Sequence, residues 1–286
     1  MSVKLSVIPI ETLRLGKKQP QHYFADYVAV EEPLEIVLAY GPASCRKHQS
    51  ISVTMRTPGM NDFELVLGFL FTEGIVFSYN DISSIRYSAN PDFDESVQYN
   101  TIQVDLYAEK LFDVEKLQRH FYTSSSCGVC GKASIDLVRQ QSVFQVNEDT
   151  PTVPAELLYH LPEELRKAQS MFDATGGIHA SALFDTAGKL ICLREDVGRH
   201  NALDKLIGWA LKENIIPLSN HILMLSGRIS FELVQKASMA GIPIIAAIGA
   251  PSSLAIELAK ENNITLIGFL REDRMNVYCG EKRIKN

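Results

Sequence analysis

The chain has 286 residues, of which 46% are hydrophobic and 22% charged, a composition typical of a globular protein with one large core or two smaller ones. Its net charge of −6 disfavours general nucleic-acid binding, since proteins with that function are usually basic. No apolar run is long enough to span a membrane and the N-terminus lacks the apolar stretch of a secretory signal, so the sequence predicts a cytoplasmic protein.

The N-terminal third of the chain has the pattern of a small α+β domain. We expect residues 1–27 to form an irregular arm and residues 28–120 to form this domain. Asn61, followed by Glu64 three residues later, resembles a capping box and predicts a helix from there to about Gly74. Strands are predicted where β-branched and apolar residues cluster, at 34–38, 50–55, 84–87 and 101–107, with an acidic hairpin loop at 90–96.

Cys127 and Cys130 form the only Cys-x-x-Cys of the chain, inside the Ser/Gly-rich stretch 123–131. We expect residues 121–147 to form an exposed loop and a short helix over 133–141. Two neighbouring thiols can supply half of a zinc site, a redox pair, or a sulfur-carrying nucleophile with its partner. Zinc would need ligands from elsewhere, whereas residue chemistry leaves redox and sulfur transfer equally open.

The other three cysteines, Cys45, Cys192 and Cys279, lie in or beside predicted strands. An odd total of five, scattered along the chain, argues against a disulfide framework. We therefore expect these three to be small buried or half-buried apolar side chains.

Residues 148–286 are expected to form an α/β domain, because short apolar strands alternate with helices in the manner of a largely parallel sheet covered on both faces. A hairpin turning at 186–188 makes the predicted sheet mixed. Helices are predicted from about 154 or 162 to 172, and over 200–212, 231–240 and 252–260. Strands are predicted at 178–184, 190–193, 222–225, 244–248, 266–269 and 276–278.

Three turns follow predicted strands at the edge where an α/β sheet binds its ligands, at 194–200, 226–228 and 249–253. Each precedes a helix, whose free N–H groups and partial positive charge favour anions. Arg199 and Arg228 would add guanidinium donors, and Asp196 could accept a hydrogen bond from a base or sugar. Each turn alone is more simply a helix cap, but the three together favour an anionic ligand. The charged turn 271–274 could be a solvated turn or a rim that holds a polar ligand, and spacing alone does not separate the two.

Several longer motifs together resemble the FdhD family, the accessory sulfurtransferases of formate dehydrogenase. The matching segments are SCGVCG at 126–131, TGGIHA at 175–180, EDVGRHNALDK at 195–205, SGRISFE at 226–232, APSSLA at 250–255 and LIGF at 266–269. EPL at 32–34 and GFLFTEG at 68–74 also fit. The resemblance therefore spans nearly the whole chain.

The resemblance implies a sulfurtransferase that accepts persulfide sulfur from a cysteine desulfurase, with Cys127 as the carrier and Cys130 as its partner. The sulfur acceptor would be the molybdenum or tungsten bis(molybdopterin guanine dinucleotide) cofactor, bound as a substrate and mimicked in part by GDP. This cofactor would then enter the catalytic subunit of formate dehydrogenase, and the protein is expected to be a homodimer. The cofactor-binding stretch would be Phe269, Leu270, Arg271, Glu272, Asp273 and Arg274.

The resemblance also implies a cytidine-deaminase-like core in residues 148–286. Zinc deaminases carry a His or Cys ligand at one helix start and Cys-x-x-Cys at the next. Here His200 stands near the first start, Ser226-Gly227-Arg228 precede the second, and no His-x-Glu is formed because residue 202 is alanine. We therefore expect neither zinc nor deamination. The alternative function is a non-catalytic cofactor-binding chaperone, or one stabilised by zinc.

Overall fold

The computed structural model describes residues 6–17, 19–59, 61–88, 99–108, 142 and 144–285. Three predicted features lie outside the described residues and stay predictions: the acidic loop at 90–96, the segment with Cys127 and Cys130, and the helix over 133–141.

Near the N-terminus, two long strands form an antiparallel hairpin, β1 (Val7–Gly16) and β2 (Gln19–Ala29). The expectation of an irregular arm over residues 1–27 is therefore wrong for this part. Pairs that join an aromatic residue to an aliphatic one across the strands, such as Leu13 opposite Tyr23, stabilise such a hairpin. The partners in such pairs are ten or more positions apart, so the pattern within a short segment does not predict them.

A four-stranded sheet follows the hairpin, with the strand order β4-β3-β6-β5. Its strands confirm the predicted ones and are β3 (Glu32–Tyr40), β4 (Lys47–Arg56), β5 (Ile82–Tyr87) and β6 (Thr101–Leu106). β3 pairs antiparallel with β4 and parallel with β6, and β5 and β6 are antiparallel.

Helix α1 (Asp62–Thr72) lies between β4 and β5 and ends as predicted before Gly74, which has a φ of 69°. The predicted capping box at its start is wrong. Asn61 has a φ of 58°, and its side chain makes no capping hydrogen bond. Glu64 instead accepts from Arg194, whose Nη2 lies 3.0 Å from Glu64 Oε1, so a long-range ion pair draws the glutamate away from the helix start.

The C-terminal part contains a six-stranded sheet with the order β13-β12-β11-β10-β8-β9. Its strands are β8 (His179–Asp185), β9 (Leu190–Asp196), β10 (His221–Leu225), β11 (Ile244–Ala247), β12 (Thr265–Gly268) and β13 (Asn276–Cys279). β10, β11 and β12 are parallel, whereas β8, β9 and β13 join as antiparallel neighbours. The predicted mixed α/β sheet with its opening hairpin is therefore confirmed.

A two-residue parallel pair, Val153–Pro154 (β7) with Ile284–Lys285 (β14), joins the end of the described chain to the start of the next helix. That helix, α2 (Ala155–Ala168), covers one face of the six-stranded sheet. The short α3 (Ser170–Thr175) follows after a break at Gln169, so the single predicted helix is in fact two.

The other face of the six-stranded sheet is covered by three helices, α4 (Arg199–Lys212), α5 (Phe231–Met239) and α6 (Ser253–Glu261). Helices on both faces explain why the parallel strands β10, β11 and β12 are buried along nearly their whole length. The predicted helix positions are confirmed to within one or two residues.

α1 and α4 cross so closely that the N-terminal and C-terminal parts share one hydrophobic core. Two glycines make the contact. A Cβ on Gly68 would lie 1.8 Å from the carbonyl oxygen of Asp204, and a Cβ on Gly208 would lie 1.8 Å from that of Glu64. α4 is therefore central, with the N-terminal part on one side and the six-stranded sheet on the other.

We predict that Gly208→Ala or Gly68→Ala destabilises the fold by at least about 2 kcal/mol, because overpacking a core costs ~1–3 kcal/mol and the clash here is with backbone. Urea unfolding measures the change. Gly177→Ala is the control, since a Cβ there would have only the carbonyl oxygen of Thr175 within reach, at 3.8 Å. Equal unfolding midpoints for Gly208→Ala and Gly177→Ala would contradict the close crossing.

Candidate functional site

Four loops meet at one edge of the six-stranded sheet. The parallel strands β10, β11 and β12 all end there, and β8 runs in the opposite direction, so it begins there at His179. His179 is paired with Asp196, the last residue of β9. The three turns predicted after strands are thus confirmed as neighbours, and the loop that follows β12 joins them.

Gly249 is required by backbone packing between these turns. The N–H of Gly249 donates to the carbonyl oxygen of Gly227 at 3.2 Å, and a Cβ on Gly249 would approach that oxygen to 2.6 Å. The N–H of Phe269 in turn donates to the carbonyl oxygen of Gly249 at 3.1 Å. The turns that follow β10, β11 and β12 therefore form one hydrogen-bonded platform. Their small residues serve the contact between turns as well as any contact with a ligand.

The predicted cofactor-binding stretch, 269–274, begins with an exposed aromatic residue. Phe269 has a left-handed backbone with a φ of 52° and is 43% exposed, an uncommon combination for a bulky side chain. Leu270 is fully buried among the side chains under α2, so it can reach a ligand only through its backbone.

The rest of the stretch is a tight turn on the platform. Arg271 donates from Nη1 to the carbonyl oxygen of Ile248 at 2.9 Å, and its N–H donates to the carbonyl oxygen of Arg274 at 2.8 Å. Glu272, Asp273 and Arg274 are exposed. Arg271 therefore supports the loop, whereas Arg274 is exposed at its surface. The binding role of the stretch stays a prediction.

Cations surround His179 at this edge. Burial lowers the pKa of this half-buried imidazole, and the charges of Arg199, His200 and Arg228 lower it further. His179 is therefore neutral at neutral pH. Arg199, in the first turn of α4, has a buried Nε without a hydrogen-bond partner among the described residues.

His200 contacts two side chains at the start of α5. Its Nε2 is 2.9 Å from Glu232 Oε2 and 3.1 Å from Ser230 Oγ. The hydrogen bond from His200 lowers the pKa of Glu232, so this carboxylate is anionic and orients the imidazole. Glu232 thus offsets part of the positive charge at the edge.

Asp196 is unavailable to a ligand, and the prediction that it accepts from a base or sugar is wrong. Its side chain is fully buried, with a carboxylate oxygen 2.6 Å from Lys205 Nζ. The carboxylate also accepts from the backbone N–H groups of Gly198 at 2.8 Å and Thr57 at 3.2 Å, and from Asn201. These bonds saturate Asp196 and fasten the β9–α4 turn to the N-terminal part.

A cavity of about 540 Å³ opens beside the platform, between α2–α3 and the sheet edge. It has apolar walls and a few polar groups, as small-molecule sites do, and its lining includes Leu165, Gln169, Phe172, His179, Ser226 and Ile248. A second cleft, of about 530 Å³, shares Pro162 and Arg166 with the cavity and reaches Glu272 of the predicted stretch.

Few features of the sequence predict that α2 and α3 form a wall of this cavity. Arg166, Gln169 and Phe172 belong to helices whose apolar pattern predicts only that they cover the sheet. The one local signal is the pair Gly176-Gly177, just before His179, where Gly176 ends α3 with a φ of 65°.

The described part of the chain contains no group of three or more His, Cys, Asp or Glu side chains placed to hold a metal ion. Nor does any helix within those residues have the length and apolarity that crossing a membrane requires.

Three cysteines are described. Cys192 is buried and Cys279 half-buried, as predicted. Burial raises the pKa of Cys192 to about 12, which keeps it a thiol. The same prediction is wrong for Cys45, which is exposed because it lies on a short 3₁₀ turn between β3 and β4 and not within a strand.

A model of the FdhD/NarQ family matches residues 29–285, almost the whole chain. The chain belongs to this family. The match contains every turn of the platform and the stretch 269–274, so the resemblance seen in the sequence motifs is confirmed.

Relatives in the FdhD/NarQ family are closely similar to the chain. It is 52% identical over 257 residues to the sulfur carrier protein FdhD of Mycolicibacterium paratuberculosis, which covers 90% of this chain and 91% of that protein. It is 43% identical over 259 residues to the sulfur carrier protein FdhD of Sulfurisphaera tokodaii, covering 91% and 92%. A crystal structure of a candidate formate dehydrogenase accessory protein from Desulfotalea psychrophila shares the fold, with a TM-score of 0.70 over 98% of this chain and 100% of that one, at 23% identity.

We predict that Arg199→Gln raises the pKa of His179, because after burial the Arg199 guanidinium opposes protonation of this imidazole most strongly. NMR titration of the His179 ring measures the shift. A histidine whose folded pKa is lowered loses stabilisation as the pH falls below its unfolded pKa of about 6.5, so Arg199→Gln should also reduce the loss of stability on acidification. Lys189→Gln, on the exposed turn between β8 and β9, is the control; an unchanged titration in Arg199→Gln would contradict this electrostatic coupling.

Proposed function

We propose that this protein is a sulfur carrier and sulfurtransferase. It accepts persulfide sulfur from a cysteine desulfurase and passes it to a molybdenum or tungsten bis(molybdopterin guanine dinucleotide) cofactor destined for formate dehydrogenase. The observation that carries the proposal is the similarity to proteins named sulfur carrier protein FdhD, at 43–52% identity over 90–92% of each chain.

Cys127 is the proposed persulfide carrier and Cys130 its partner. In the loading step, the Cys127 thiolate attacks the terminal sulfur of the desulfurase persulfide. A new S–S bond forms on Cys127, the old one breaks, and the desulfurase cysteine leaves as a thiolate. The Cys-x-x-Cys spacing, its Ser/Gly-rich setting and the family membership support these roles.

The platform at the sheet edge is the proposed docking place of the cofactor, which is the substrate of the second step. Phe269 offers an exposed ring, and Arg274 an exposed guanidinium, at one side of the platform. Arg199 and Arg228 add positive charge around His179. A dinucleotide carries flat rings and anionic phosphates, which this combination suits.

The proposed core is cytidine-deaminase-like, with the metal site of deaminases replaced by an anion-binding crevice. The mixed sheet with helices on both faces is compatible with this reading. His200 and the turn Ser226-Gly227-Arg228 stand at the helix starts that carry zinc ligands in deaminases. A homodimer is part of the proposal, because the cofactor has two guanine ends and each chain would supply one edge.

Treatment with a cysteine desulfurase and cysteine should add the mass of one sulfur atom to the wild-type chain, and a thiol reductant should release it. Cys127→Ala should abolish this adduct and the maturation of formate dehydrogenase, because it removes the attacking thiolate. Intact-mass spectrometry measures the adduct, and the thermal midpoint checks that the variant is folded.

Cys45→Ala is the matched control, because Cys45 is an exposed thiol within the described residues. Its loss should leave loading unchanged. An adduct that persists in Cys127→Ala would contradict the carrier role. Maturation supported by a chain with both Cys127 and Cys130 replaced by Ala would favour a chaperone that only binds the cofactor, and zinc in the purified protein would favour the zinc-stabilised form of it.

GDP, as a partial mimic of the cofactor, should raise the melting temperature, because a ligand at about 100 times its Kd stabilises the folded state by about 2.7 kcal/mol. Arg274→Gln should reduce the shift, since Arg274 is exposed at the platform and its loss removes one phosphate-binding group. Thermal unfolding with and without GDP measures both effects, with Lys189→Gln as the control. The absence of any shift at millimolar GDP would argue against docking at the platform.

A further inference from the structure

The cavity beside the platform is close to neutral inside. Leu165, Phe172 and Ile248 form apolar walls. Among the described residues that line it, Arg166 is the one permanent charge; its guanidinium is paired with Asp173 and lies 4.9 Å above the ring of Phe172. Such an interior favours an uncharged, flat ligand over a phosphate or a carboxylate, because a bare anion would lose its hydration without gaining a free cation.

Gln169 is the strongest indication that a ligand belongs there. It lies at the break between α2 and α3, is only 4% exposed, and its Nε2 has no hydrogen-bond partner among the described residues. A buried amide N–H without a partner is unfavourable in the free protein, so a ligand that accepts a hydrogen bond from it gains free energy. Rotation of this side chain presents its N–H and its C=O side by side to one edge of a ligand.

Two further polar groups line the same cavity. Ser226 Oγ accepts a hydrogen bond from the N–H of Ala180 at 2.8 Å, which leaves its own proton available for donation. His179 is neutral, and a neutral imidazole offers one donor and one acceptor. An amide, a hydroxyl and an imidazole thus converge on a space with apolar walls.

We infer that this cavity binds a flat, uncharged heterocycle with a lactam edge, in which a ring N–H lies beside a carbonyl group, and that Gln169 reads this edge. Nε2 of Gln169 donates to the carbonyl of the ligand, and Oε1 accepts from its ring N–H. Guanine and pterins share this edge. The choice of a lactam among nitrogen heterocycles rests on the proposed function, since the proposed acceptor carries both rings.

The test uses the full chain with guanosine, followed by calorimetry, and with 6-hydroxymethylpterin, followed by its fluorescence. At least one of them should bind, and the same compound methylated at the ring nitrogen of its lactam edge should bind at least about tenfold more weakly, because its N–H is lost. Gln169→Leu should weaken the lactam ligand by a similar factor. Its melting temperature should equal or exceed that of the wild type, because the free protein loses no hydrogen bond; a merely structural amide would lower it.

Binding of guanosine alone supports the inference and assigns the cavity to the nucleobase end of the cofactor, whereas binding of the pterin alone supports it and assigns the pterin end. Gln103→Leu, in β6 of the N-terminal sheet, is the matched control and should leave affinity unchanged. The inference is overturned if neither lactam binds, if the N-methylated compound binds as tightly, or if Gln169→Leu changes nothing.

Sulfur loading of Cys127, measured on the same proteins, separates this inference from the proposed function. If sulfur loading is normal but neither lactam binds, only the ligand assigned to the cavity is overturned. Failed loading of the wild-type chain removes the sulfur-carrier function, whatever the cavity binds.

Discussion

The approach of α1 to α4 at Gly68 and Gly208 is the constraint on which the other contacts between the two halves depend. Charges near the crossing are buried and paired, since Lys236 Nζ lies 2.9 Å from Asp204 Oδ2 and 2.9 Å from Thr72 Oγ1. Removing one partner of a buried ion pair costs about 3–5 kcal/mol, because the other charge stays behind without compensation. These side chains reach their partners only while the helix backbones are in contact. Their bonds therefore hold α1, α4 and α5 in one arrangement.

α4 transmits this constraint to the sheet edge. Lys205, one turn from the crossing region, holds Asp196 at the start of the helix, and Asn201 donates to the carbonyl oxygen of Met55 at 2.7 Å. The first turn of α4 is therefore tied to β4 as well as to β9. Since Arg199 and His200 stand in that turn, the N-terminal sheet helps to set the positions of the cations around His179, although it contributes no side chain to the cavity.

The sequence pattern within a short segment predicts those helices and strands that interactions within the segment determine. The strand at 222–225 and the helix at 252–260 agree with β10 and α6, and Ser252 caps α6 by accepting from the N–H of Ala255 at 3.3 Å. The position of the site at the strand ends follows from the same patterns. The wrong predictions concern side chains with distant partners. Glu64 pairs with Arg194 instead of capping α1, and Asp196 is held by Lys205 and Thr57 instead of meeting a ligand. The sequence does not predict the role of Gln169 for the same reason, since a buried amide N–H without a partner among the described residues is visible only once the chain is folded.

The charges along the sheet edge indicate which kind of ligand would fit there. The cations gather around Arg199 and Arg228, while the adjoining cavity with Gln169 is close to neutral. A free phosphate would need only the first zone and a free base only the second. A ligand with uncharged rings joined to phosphates can satisfy both at once, and burying its rings costs little because they carry no charge. The proposed recognition of such a ligand rests on described residues of the sheet edge, so the proposed function assigns sulfur chemistry to Cys127 and Cys130 and acceptor binding to that edge.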